Sequence, residues 1–166
     1  MPDAHDILLS VHVAAGCAGL VLGPLAMWSE RGLTHRSRAG GGYHAAVLAV
    51  ALTAAGLVAL NPSALWWLAP LAALSYALAL LGVLAPRWRR RGWVRAYAHG
   101  QGGSYIALVT ALLVVSLDGP ASAAGWVLPT LVGLPLIERR VDRLSTAVAR
   151  AERRAGDRTE PAPLGG

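Results

Sequence analysis

Along the chain, long apolar runs alternate with short polar connections. Five such runs cover residues 7–28, 43–60, 65–85, 98–117 and 121–137, and none holds a carboxylate. A helix that crosses a bilayer needs about 20 mostly apolar residues. The first four runs meet or approach that length. The fifth is the weakest, because Pro129 and Pro135 lie inside it. Proline removes a helical hydrogen bond, but neighbours in a membrane bundle can satisfy the freed carbonyl. The fifth run therefore reads as a kinked span or a re-entrant segment. Beyond it the pattern changes. Val141, Leu144, Val148 and Ala151 recur at spacings of three and four, with charged residues on the other positions. That is the signature of an amphipathic helix. The expected organisation is a transmembrane helical domain over residues 1–137, an amphipathic helix over 138–155, and a disordered tail rich in proline and glycine over 156–166.

The connections orient the bundle. Arg31, Arg36 and Arg38 follow the first run, and Arg87, Arg89, Arg90, Arg91 and Arg95 follow the third. Arg139, Arg140, Arg143, Arg150, Arg153, Arg154 and Arg158 follow the fifth. The other two connections carry no arginine, and the N-terminus carries Asp3 and Asp6. Arginine-rich loops stay in the cytoplasm. An all-α polytopic bundle of about five spans, N-terminus outside and C-terminus cytoplasmic, satisfies every arginine; four spans would send the basic tail outside. Trp28, Trp66, Trp67, Trp88, Trp93 and Trp126 fall at or near the expected span boundaries, where tryptophan prefers to sit. The acidic start also lacks the basic region of a cleavable signal peptide, so the first run is expected to remain as a span.

Composition agrees. Mean hydropathy is +0.48, and charged residues make up 14% of the chain, against about a quarter in soluble domains. All 15 basic residues are arginine, and the net charge is +6. These residues flank apolar runs and form no recognisable nucleic-acid motif. They read as topology signals and contacts for anionic lipid headgroups, with no nucleic-acid role. Cys17 is the single cysteine; it excludes an internal disulfide and reads as a small core hydrophobe.

Chemistry rests on the histidines. His12 falls in the outer half of the first span, His44 and His99 at the inner ends of the second and fourth, and His35 in the first inner loop; His5 is external. An imidazole in lipid needs a partner. Two at equal depth on different helices suit bis-imidazole ligation of a haem iron or another metal. His44 and His99 are the first-choice ligand pair, with His12 and His35 as second choices and haem b as the expected cofactor. The competing reading is packing. His12, Gly16, Gly19 and Gly23 form one small-residue stripe, and His99, Gly103, Ala107 and Ala111 another. Such stripes are the usual device for close helix contact in membranes, and they would serve a homo-oligomer or a membrane-protein partner equally well. Gln101, Ser104 and Tyr105 could line a polar pocket suited to a quinone headgroup. The glycine-rich segment 100–105 lacks the strand and lysine of a phosphate loop. No nucleophile-and-base pair stands out.

His12 with Leu22-Gly23-Pro24, the run Thr-His-Arg-Ser-Arg-Ala-Gly at 34–40 leading to Tyr43, residues 98–111, and Trp-Val-Leu-Pro-Thr at 126–130 are the residues of a resemblance. Together they resemble a family of small multi-span bacterial membrane proteins known only as a domain of unknown function. The resemblance covers the chain to about Ile137. It implies a bacterial cytoplasmic-membrane protein with histidines near its helix ends, and no particular activity. The expected function is haem or metal binding with a redox or respiratory-assembly role. The alternatives are a cofactor-free structural or assembly protein, and a small transporter or lipid-handling protein. The last predicts a cavity near the midplane.

Overall fold

A computed structural model describes residues 3–29, 37–88, 91–117 and 120–159, with side chains from 121 to 154 in the last segment. The chain is helical throughout these residues: α1 (Ala4–Ser29), α2 (Arg38–Leu60), the single turn α3 (Pro62–Leu65), α4 (Leu68–Trp88), α5 (Trp93–Ser116) and α6 (Pro120–Thr159). Five of the helices are long and apolar enough to cross a membrane. Their outer faces carry Val21, Leu52 and Leu131, exposed by 62%, 64% and 63%. Lipid, not water, is the solvent that tolerates such a surface. The chain is a multi-pass membrane protein.

Local chemistry sets several helix ends. The Ser37 side chain accepts a hydrogen bond from the Gly40 N–H at 3.0 Å and caps α2, which satisfies one otherwise orphan donor. Pro62 occupies the first turn of α3, where its missing N–H does no harm. Gly92, at φ 82°, makes the left-handed turn into α5, a conformation open to glycine at little steric cost. That helix starts at Trp93, five residues before the expected 98.

The packing order is α1 on α2, α2 on α4, α4 on α5, and α5 back on α1, which closes a four-helix ring. Helix α6 packs on α5. The expected fifth span is one uninterrupted helix containing both prolines, and it runs without a break through the amphipathic segment to Thr159. Residues 156–159 of the expected disordered tail are thus helical, and residues 160–166 lie outside the described residues.

Glycine governs the closest crossings. A Cβ on Gly100 would meet the Gly82 amide nitrogen, and the Leu78 carbonyl oxygen at 2.7 Å, so α4 and α5 touch backbone to backbone. Gly19 faces Leu108 of α5, and Gly23 faces the Tyr105 ring, whereas Gly16 meets nothing within 4 Å. The α1 stripe therefore packs over its later part. Cys17 is exposed on the outer face of α1, so it is not the core residue expected.

Candidate functional site

The structure gives the histidines separate partners. His12 Nδ1 lies 2.9 Å from Thr53 Oγ1 of α2. The Thr53 hydroxyl donates its one proton to a backbone carbonyl, Ala49 O at 2.7 Å, so His12 is the donor in the helix-to-helix bond. His44 packs its ring on Tyr76 of α4, with centroids 5.8 Å apart. His99 turns toward α6: Nε2 lies 3.1 Å from Glu138 Oε1, and Nδ1 lies 3.0 Å from the Arg95 carbonyl oxygen. Both ring nitrogens thus lie within hydrogen-bond reach of an oxygen. Arg95 donates to the same carboxylate oxygen at 3.0 Å. This places Glu138 between Arg95 and His99, just beyond the apolar stretch of α6. The Arg95 hydrogen bond, above all, holds the Glu138 carboxyl below its ordinary range, with His99 acting in the same direction.

As placed, His99 has no uncommitted nitrogen to offer an iron, and His44 and His99 address different helices. His35 lies outside the described residues. Among the described residues, no group of three or more His, Cys, Asp or Glu side chains is placed to hold a metal ion. The polar residues of the expected quinone pocket serve the core. Ser104 donates to the Gln101 carbonyl oxygen at 3.0 Å and accepts from the Tyr43 hydroxyl at 2.7 Å. The Tyr105 hydroxyl donates to the Leu20 carbonyl oxygen at 3.3 Å.

A different site emerges where α1, α5 and α6 meet. Helix α6 is keyed to α5 by reciprocal glycine contacts: Ile137 fills the space over Gly102, and Ile106 fills that over Gly133. On the neighbouring strip of α5, Tyr105 rests on Gly23 of α1. Helices α1 and α6 thus lean on the same helix, and an apolar cleft of about 280 Å³ remains between them. Tyr105, Ile106, Val109, Val132 and Leu136 line it, with Met27 and Arg140 among the other contacts. That is close to the lower bound of small-molecule sites, roughly 300 Å³.

A second depression, about 540 Å³, shares Met27, Leu136 and Arg140 with the cleft. It adds Pro24 and Trp28 of α1, and Arg139, Arg143 and Leu144 of α6. Among the described residues, no carboxylate lines it. Arg140 stands at the junction of the two spaces, its guanidinium carbon 5.7 Å from the centre of the Tyr97 ring. Cation–π contact of this kind contributes about 0.5–2 kcal/mol. Both terminal nitrogens of Arg140 are shielded from solvent, and neither meets a hydrogen-bond partner among the described residues. A guanidinium has five N–H donors and no acceptor. What would complete it is an anion.

From the sequence, Arg140 reads as one of many topology signals and headgroup contacts, with nothing in its charge alone to single it out. A finer signal was present. Pro129, Val132, Gly133, Leu136 and Arg140 follow one another at spacings of three, one, three and four. That is a single helical stripe running from apolar to cationic.

Comparison with family models, with curated proteins and with solved structures finds no match to this chain.

Proposed function

We propose that this is a lipid-handling protein of the bacterial cytoplasmic membrane, with its arginine-rich side inward, which takes an amphiphile into the cleft between α1, α5 and α6. One observation carries the reading: an apolar cleft within the spanning region that meets a basic depression at the arginine-rich end. A molecule with an apolar chain and a polar head has the same order of chemistry. Burial of a chain in such a cleft is favourable by packing, since a groove left open would lose dispersion contacts along its walls. This reading ranks above haem b ligation because His99 is already held by Arg95 and Glu138, and His44 packs on Tyr76.

The test is native mass spectrometry of protein purified in mild detergent, comparing wild type with Val132→Trp. Val132 is 62% exposed and lines the cleft, so indole can fill it without overpacking the core. Val127→Trp, on the same helix but outside the lining residues, is the control. The expected result is a lipid adduct retained by wild type and the control and lost from Val132→Trp. An unchanged adduct pattern in Val132→Trp would reject the cleft as the binding place.

A further inference from the structure

We infer that the amphiphile is an anionic phospholipid, with its phosphate held by Arg140 and flanked by Arg139 and Arg143, and one acyl chain lying in the cleft above. This rests on the lipid-binding reading and adds the chemical class of the ligand. Four observations converge on it. The Arg140 guanidinium is withdrawn from solvent with both terminal nitrogens unpartnered among the described residues. It lines both the apolar cleft and the basic depression. Arg139 and Arg143 line the same depression, which has no acidic lining residue among the described residues. One neighbouring carboxylate, Glu138, is turned to α5 and engaged by Arg95 and His99.

The geometry favours a phosphate over a zwitterionic head. A planar guanidinium matches two phosphate oxygens at once. A choline or ethanolamine group would bring a cation into a depression that already holds three arginines. Trp28 is among the lining residues contributed by α1, and indole favours the headgroup region.

The experiment titrates the full chain in mild detergent with phosphatidylglycerol or phosphatidylcholine of identical acyl chains, and reads bound lipid by native mass spectrometry. Phosphatidylglycerol is expected to bind about tenfold more tightly, as one well-placed charge contact would give. Arg140→Gln should weaken phosphatidylglycerol about tenfold, and phosphatidylcholine, which shares the phosphate but adds a cation, by less. Arg139→Gln with Arg143→Gln, both exposed side chains, should weaken phosphatidylglycerol in the same direction. That double variant also carries the test if Arg140→Gln does not fold. Equal binding of both lipids by wild type would overturn the headgroup assignment while leaving the cleft reading intact. Binding of neither lipid would overturn the cleft reading as well. Displacement of phosphatidylglycerol by equimolar inorganic phosphate would overturn a lipid ligand in favour of a free anion.

Discussion

His12 lies within the first span, and its neighbour explains why it is tolerated there. The hydroxyl proton of Thr53 is committed to its own helix, so the imidazole supplies the proton of the α1–α2 bond. Hydrogen bonds between membrane helices contribute modestly, about 0.6 kcal/mol on average and up to about 1.7. Thr53→Val, close in size, should therefore lower stability by about 0.5–1.5 kcal/mol. Unfolding in mixed micelles would measure it, and an unchanged midpoint would mean that the bond contributes nothing. At this scale the sequence announced that His12 needed a partner but not which one. Thr53 is 41 positions away, and only the register of α1 against α2 brings the two together. The same limit applies to His99. Its membrane-end position was readable, but Glu138 becomes its neighbour only once α6 lies on α5.

At the scale of elements, the contact between α4 and α5 is the least forgiving. A methyl group on Gly100 would strike the backbone of Gly82 and Leu78, and backbone yields less readily than a side-chain tip. Gly100→Ala should cost about 1–3 kcal/mol as overpacking, read as loss of thermal stability in detergent. Gly16→Ala, in open space, should leave the melting temperature nearly unchanged and serves as the control. Helix α6 is held to α5 partly by the Arg95–Glu138–His99 cluster, and this makes its docking sensitive to acid. Because the Glu138 carboxyl is depressed in the folded protein, its contribution is present above the ordinary carboxylate pKa. It is lost as pH falls through the lower, folded value. The melting temperature of wild type should exceed that of Glu138→Gln at neutral pH, and the two should converge in acid below that value. The effect is small, since the Arg95 and Glu138 side chains are 66% and 42% exposed, and exposed ion pairs are screened. A gap that persisted in strong acid would argue against the carboxylate as its source. The five long helices were legible because an uncharged apolar run of spanning length is too long for an ordinary buried core helix and matches the thickness of a bilayer. Their ends were less so. Trp93 to Tyr97 mixes arginine with aromatics and read as loop, yet it forms the first turns of α5. The prolines of α6 left a kinked span or a re-entrant segment open, and both lie inside one continuous helix.

Across the whole molecule, four helices close a ring and a fifth lies against one of its members. Charge patterning identified the arginine-bearing connections, and the structure gathers Arg139, Arg140 and Arg143 around one depression. The cleft itself was not readable from the sequence. It exists because α1 and α6 share α5 as a support, a relation that no local pattern encodes. The lipid-handling alternative predicted a cavity near the midplane; Thr53, a hydroxyl that could have marked it, bonds instead to the Ala49 carbonyl oxygen and to His12. The lining is apolar, and among the described residues its only formal charge is Arg140.

The position of α6 outside the ring has a consequence for biogenesis. The chain is synthesised from its N-terminus, so α1 to α5 can enter the bilayer and close the ring before the last span leaves the ribosome. Until then, the surfaces of α1 and α5 that will wall the cleft face the acyl chains of the surrounding membrane. The third wall arrives last, with its arginines immediately behind it in the chain. With a phospholipid as ligand, the first occupant is therefore enclosed during insertion, taken from lipid already lying against α5, rather than recruited afterwards into a finished protein.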